Sequence, residues 1–371
     1  MKRVSGESGR GKKEFLLPDD VMIHIFLRFP VKNLAQFRCV CKSWNRVITS
    51  QPFFESLSNQ TTSTCVLYHP CFSHLRLGLY SEKLQNFLEL PDPPFGDDHK
   101  DFGIVGSCNG VLCLYSNGFD RSFIYMWNPT VRKYITLPKP SCNPRYLGFG
   151  INPKSGHLDD FKVVTIFANA NAEVYSLRTN SWKSIADGFL PSIELTCCHL
   201  DHPVFLNGFV HWCAQVSCYL DSKRPWLIVS FDFANEVFQK IMLPDNLSLD
   251  DGAKFLNVVN GRLCVFAAAD QKFSAYELWV MMEYGIVESW SRICTIEKPE
   301  KFWWPLGFTT TGSIFARGHC KHGENTLLVY RPDRKKFKCL GGHLPHLPIQ
   351  VLTFGESVIA PVPQPVIFGT T

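Results

Sequence analysis

From Leu17 to about Phe54 apolar side chains recur at three- and four-residue spacings. From about Cys65 onward they alternate with polar residues or run in short blocks between turn residues. The first pattern belongs to helices and the second to strands. In the opening segment Val21 and Ile25, Met22 and Phe26, and Ile23 and Leu27 form i,i+4 pairs on adjoining faces. Pro18 suits a first helical position, where its fixed φ helps and its missing N–H is an orphan anyway. This helix is apolar nearly all round, and a segment of about fifty residues has too few layers to bury it on every side, so a partner is expected to cover part of it. Pro30 ends it; a second helix then carries Leu34 and Phe37, and a third carries Cys41, Trp44, Val47 and Ile48 before Pro52. Three short helices are expected, with a core separate from that of the β region.

The β region repeats. Asn-Gly sits inside comparable apolar runs at Asn109, Asn207 and Asn260, separated by 98 and 53 residues, with a weaker echo at Gly312. Each unit continues into a second hairpin whose outgoing strand carries an aromatic, as in "YMWNPTVRKYITLP" and "VYSLRTNSWKSI". A unit near fifty residues with about four strands has the length of a propeller blade. Five such units run over 102–138, 146–186, 204–244, 255–296 and 305–340. Strands near 65 to 90 and the run Val351 to Ile359 can combine into one more and leave no exposed edge. The favoured fold class is mainly β: a three-helix module followed by a propeller-like domain of six blades, closed by a C-terminal strand. The Gly-Gly of true kelch repeats is missing from the units.

Composition narrows the function. Of 371 residues 45% are hydrophobic and 19% charged, which is globular, and the net charge of +5 is spread without a basic stripe beyond Arg334, Lys335 and Lys336. Nucleic acid is not an expected partner, and with no apolar stretch of spanning length neither is a membrane. The polar, basic residues 1–14 do not read as a secretory signal, so cytoplasm or nucleus is expected, with the 15 cysteines as thiols. No metal site is expected: Cys-x-x-Cys is absent, and the nearest cluster is Cys197, Cys198, His199 and His202. No nucleophile elbow, phosphate loop or zinc-protease motif occurs, so neither catalysis nor a cofactor is expected.

The stretch "LPDDVMIHIFLRFPVKNLAQFRCVCKSWNRVITSQPFF" resembles the F-box of plant ubiquitin-ligase receptors, with Phe29 in place of a commoner leucine. "GSCNGVLCL", "NPTVRKYITLP", "FDFANEVFQKIMLP" and "LWVMMEYGIVESWSRI" resemble the F-box-associated domain of the same families. The resemblance divides the chain into a basic tail (1–13), an F-box (14–54), a polar connector (55–63), an F-box-associated domain (64–360) and a Pro-containing tail (361–371). It implies that Leu17, Pro18, Val21, Ile25, Leu34, Cys41 and Trp44 lie at or beside the surface taken by a Skp-type adaptor, and through it a cullin. Trp44 can serve the core and the partner alike. The implied function is substrate recognition for an SCF-type ubiquitin ligase. Two other readings stay open: a ligase-linked sensor of a small molecule or glycan, and an F-box scaffold acting outside a ligase.

Target specificity is expected in loops that break the repeat. These are Asp92 to Asp101 with Asp97 and Asp98, Asn169 to Ala172, and Ser217 to Pro225 with Tyr219, Lys223 and Arg224. The competing reading is of ordinary variable loops. Trp303-Trp304-Pro305, ahead of a strand, is the better candidate for an exposed loop surface, with a place in the core as the equal alternative.

Overall fold

The computed structural model describes residues 17–61, 63–68, 76–81, 86–91, 102–117, 122–185, 193–195, 203–216, 225–248, 254–270, 274–297, 302–319, 325–340 and 350–362. The chain is mainly β, with helices gathered at its start. Helices α1 (Asp19–Phe26), α2 (Val31–Phe37) and α3 (Lys42–Ile48) match the expected trio. A further helix, α4 (Gln51–Thr61), occupies the stretch that the polar composition assigns to a connector. Its cause is an i,i+4 pair: Phe53 and Leu57 are buried against Met22, Phe26, Leu34 and Ile48. That apolar face outweighs the weak helix propensity of the Ser, Asn, Gln and Thr around it.

Strands β1 (Ser63–Tyr68), β2 (Arg76–Ser81) and β3 (Asn86–Glu89) begin the β region. Then come β4 (Phe102–Cys108), β5 (Val111–Asn117), β6 (Ser122–Asn128) and β7 (Lys133–Thr136), followed by β8 (Tyr146–Ile151), β9 (Phe161–Ile166), β10 (Ala172–Ser176) and β11 (Ser181–Ser184). Next are β12 (Ile193–Leu195), β13 (Val204–Leu206), β14 (Phe209–Val216), β15 (Trp226–Asp232) and β16 (Val237–Met242). The series ends with β17 (Lys254–Val259), β18 (Arg262–Ala268), β19 (Ala275–Met281), β20 (Trp290–Glu297), β21 (Phe302–Phe308), β22 (Ile314–His319), β23 (Asn325–Arg331), β24 (Lys336–Cys339) and β25 (Gln350–Phe354).

The five repeat units each form one sheet from a continuous stretch, giving five such blades where six are expected: β4–β7, β8–β11, β12–β16, β17–β20 and β21–β24. The remaining sheet is composite, in the order β25-β1-β2-β3, with β25 antiparallel to β1 from Ser63 opposite Phe354 to Leu67 opposite Gln350. The two ends of the β domain therefore meet in one ladder. The C-terminal strand is shorter than the run Val351 to Ile359 suggested, because the chain leaves it at Gly355. Inner strands touch in circular order, β4 to β8, β8 to β14, β14 to β17, β17 to β21, β21 to β25 and β25 back to β4. At the closing seam the Gln350 side chain copies a strand, accepting from Ile104 N (2.6 Å) and donating to Ile104 O (3.2 Å). The Trp303-Trp304-Pro305 run is part of strand β21 and not a loop.

The Asn-Gly signals mark the turn from each unit's innermost strand to the next. Asn109 and Gly110, Asn207 and Gly208, and Asn260 and Gly261 all have positive φ, as a two-residue hairpin turn of this hand demands. In a meander the third and fourth strands turn at that same end, so one face of the ring carries both sets of turns. The other face carries the turns from second to third strands and the links between sheets. Contacts between sheets agree: Asn109 Nδ2 donates to Leu158 O across neighbouring turns on the first face, and Ser141 N donates to Glu173 Oε2 on the second.

Sheets are stapled together by polar side chains. Lys162 Nζ donates to Phe233 O (3.0 Å) and to Glu236 Oε1 (2.7 Å), while Lys183 Nζ reaches Glu236 Oε2 (2.7 Å). Burial raises the Glu236 pKa, but the hydrogen bonds from Lys162 and Lys183 outweigh it and leave the group below the usual carboxylate range. His211 joins β14 to the β19–β20 hairpin: its Nδ1 lies 3.0 Å from Val204 O and its Nε2 2.7 Å from the Tyr284 hydroxyl. Since a carbonyl only accepts, Nδ1 carries the proton and the Tyr284 hydroxyl donates to Nε2. Burial lowers the His211 pKa from 6.5 to about 4, against a smaller opposing effect of the Val204 bond. The folded pKa lies below the unfolded one, so this stabilisation is complete above about pH 6.5 and is lost as pH falls towards 4, by roughly 3 kcal/mol in all. Thermal melts should therefore shift down between pH 7 and pH 5. His211→Gln, which cannot titrate, should melt lower at pH 7 and show a shallower pH slope; equal slopes would contradict the assignment.

Candidate functional site

Helix α1 divides its apolar residues between two faces. Met22 and Phe26 point into the module, where Phe26 meets Trp44 at 5.1 Å between ring centroids and Phe53 at 6.4 Å. One position back, Leu17, Val21 and Ile25 point outward and remain 53%, 39% and 41% exposed. Their spacing of four continues to Phe29, also exposed and set edge-on to Phe37 at 5.1 Å. Large apolar side chains aligned along one face and left open to solvent mark an interaction surface more strongly than the same residues scattered singly. Pro18 is exposed beside Leu17, preceding the helix with φ −54.

The remaining adaptor candidates divide. Cys41 is exposed at the start of α3, and Trp44 is half-buried, in edge-on contact with both Phe26 and Phe37 while keeping part of its surface open. Leu34 is 0% exposed and belongs to the core, so it supports the surface from beneath and is no part of it. The reason is geometric: α2 turns Val31 and Leu34 together onto the buried side. Two exposed residues lie outside the set that the sequence suggests. Phe29 enters it only as a departure from a leucine, although its four-residue step from Ile25 is a usable signal. Val40, exposed between α2 and α3 beside Cys41, has none. Arg46 of α3 ties that helix to the start of α1, donating from Nη1 and Nη2 to Asp19 Oδ2 and Oδ1 at 2.7 and 2.8 Å. The pair is exposed, so its worth is chiefly orientation.

The helical module sits on the Asn-Gly face of the ring. Arg38, Thr49, Phe53, Phe54 and Leu57 face Gly156–Asp159 and Val358–Val362 across a cleft of about 620 Å³. The strands that flank the three segments expected to confer specificity end at the opposite face. Of these, Asn169 to Ala172 is described and is a tight turn, with Phe167 N donating to Asn171 O and Asn171 N donating to Asn169 Oδ1. It is no insertion. Asp97 and Asp98, and Tyr219, Lys223 and Arg224, lie outside the described residues. So does the cluster from Cys197 to His202. Among the described residues no group of three or more His, Cys, Asp or Glu could hold a metal ion, and no helix is long and apolar enough to cross a membrane.

The ring centre holds a cavity of about 120 Å³ between β4, β17, β21 and β25, bordered by the Pro203–Phe205 stretch. Small-molecule sites occupy some 300–1,000 Å³. The cavity is smaller than that, and Ser107, Asn257 and Thr353 stand among its otherwise mostly apolar lining residues.

Comparison with known proteins agrees with this division. Residues 15–56 match the F-box domain, and residues 72–340 match the F-box-associated β-propeller domain. Over 361 residues the chain is 27% identical to an F-box/kelch-repeat protein of Arabidopsis thaliana, covering 90% of both chains. Another F-box protein of that plant is 26% identical over 317 residues, covering 74% of this chain and 71% of its own. The Arabidopsis F-box protein CPR1 is 26% identical over 315 residues, covering 76% and 74%. The chain belongs to the F-box-associated β-propeller family, with an F-box domain placed ahead of the propeller.

Proposed function

We propose that this protein is the substrate-recognition subunit of an SCF-type ubiquitin ligase, working in the cytoplasm or nucleus. The observation that carries the reading is the open apolar line of Leu17, just before α1, with Val21 and Ile25 on it, while Met22 and Phe26 on the opposite side are buried. Such a line fits the Skp-type adaptor that F-box domains bind, and through the adaptor a cullin. Transfer chemistry in this reading belongs to other subunits. The receptor contributes proximity, raising the concentration of target lysines near the charged conjugating enzyme. Co-expression with a Skp adaptor tests the proposal: a stoichiometric complex stable through gel filtration is expected, and two separately eluting proteins would sink it.

The target, in this reading, is a protein held by loops on the face turned away from the F-box, where the segments bearing Asp97, Asp98, Tyr219, Lys223 and Arg224 connect their strands. A rigid ring displaying variable loops is a common means of recognition. Replacing Lys223 and Arg224 by Glu, or Asp97 and Asp98 by Lys, should cut target capture about tenfold or more through lost charge complementarity while leaving adaptor capture unchanged. Paired immunoprecipitation of adaptor and target from each variant reads both effects. Full target capture by both loop variants would move recognition to another surface.

A further inference from the structure

The segment 355–362, which follows β25, is neither strand nor loose end. Ser357 is wholly buried, and its hydroxyl donates to Asn109 O at 2.6 Å. Asn128, also wholly buried at the end of β6, donates from Nδ2 to Ser357 O (3.0 Å), Ser357 Oγ (3.2 Å) and Ile359 O (2.8 Å). Its Oδ1 is engaged in its own turn, accepting from Thr130 N at 2.9 Å. The propeller thus fixes the backbone on both sides of Val358. Val358 itself is 4% exposed and packs in the F-box core with Leu34, Ile48, Phe53 and Leu57. Arg38 of the F-box donates from Nη1 to Val358 O at 2.6 Å.

One side chain of the far C-terminal region therefore completes the core of the N-terminal module. That module spans about 45 residues, a size at which few chains hold a fixed structure unaided. Displacing this segment opens its core beside the helices that present Leu17, Val21 and Ile25, and takes the Val358 carbonyl away from the Arg38 guanidinium.

We propose that residues 355–361 form a strap through which closure of the propeller sets the order of the F-box, so that only a chain with its ring closed presents a fixed adaptor-docking surface. Its effect on the adaptor rests on the docking reading above; its effect on the F-box does not. A chain with an unclosed ring would engage the ligase weakly, because ordering α2 and α3 at the moment of binding opposes association.

The test uses the full chain carrying Asn128→Asp. This variant keeps the Oδ1 acceptor but turns the donor into a carboxylate oxygen facing three acceptors, at a position outside the F-box. Amide hydrogen exchange in α2 and α3 should accelerate roughly tenfold or more while β9 and β15 keep their protection. The Kd for a Skp adaptor should weaken by about threefold to tenfold. Glu236→Gln, which loosens two sheets but touches no strap residue, should leave α2 and α3 protected. If Asn128→Asp lowers protection throughout the ring, Val358→Ala decides instead, with the same exchange pattern expected. Unchanged α2 and α3 protection in the deciding variant would overturn the strap, and so would equal loss in Glu236→Gln. Faster exchange in a chain whose wild type binds no adaptor would leave the strap standing and remove the docking reading.

Discussion

Replacing Val21 and Ile25 together by Asp should abolish adaptor capture, weakening the Kd by at least about a hundredfold, with the melt of the β domain unchanged. Each side chain is about two-fifths exposed on the outward face of α1, so the substitutions leave the F-box core untouched. Covering a large aliphatic side chain contributes about 1.5–3 kcal/mol, and burying a carboxylate in its place adds a further penalty. Two such changes exceed the ~2.7 kcal/mol that a hundredfold requires. Biolayer interferometry against immobilised adaptor, beside a circular dichroism melt, measures both quantities. Capture within about threefold of wild type would contradict the docking surface. Leu34→Asp should give a different signature: capture and F-box order should fail together, because Leu34 is core.

Ending the chain at Leu340 should leave the β domain aggregating rather than melting cooperatively. This truncation removes β25, whose Val351 and Phe354 are buried and whose backbone completes the ladder on β1. It also removes the Gln350 pair with Ile104. Two buried apolar side chains and a five-residue ladder amount to at least ~5 kcal/mol, comparable with the whole stability of many domains. The bared edge of β1 then offers itself to other chains. Analytical ultracentrifugation of the truncated and full-length chains decides the matter, and a monomeric truncation with a sharp melt would show that closure does not depend on β25.

The ring is largely legible in the sequence because its turns need unusual backbone. Asn-Gly at three inner turns advertises positive φ at two adjacent residues, and that sets the repeat. The outer hairpins need positive φ at Arg132, Asn180, Glu236 and Lys335, and three of those four residues give no such signal. Spacing and the aromatic of the outgoing strand have to locate them instead. Helix α4 escapes a sequence reading because its polar composition outvotes the pair Phe53 and Leu57, whose value depends on a neighbouring core.

The expected independence of the two cores also fails, for a reason local sequence cannot carry. Val358 reads as the end of a strand, yet it fills a site between helices more than 300 residues earlier in the chain. Along α1, the four-residue spacing pairs Val21 with Ile25 and Met22 with Phe26, and the structure exposes the first pair and buries the second. Leu34, expected at or beside the adaptor surface, lies in the core, because the face that a seven-residue helix buries depends on where α3 crosses it.

The measurement that bears most directly on the central claim is ubiquitin-remnant proteomics on proteins captured by the full chain and by the Val21→Asp, Ile25→Asp variant in the same cells. As a substrate receptor, the protein should show one or more partners captured equally by both chains but carrying ubiquitin on lysine only with the unaltered F-box. Identical ubiquitination with both chains would contradict the account.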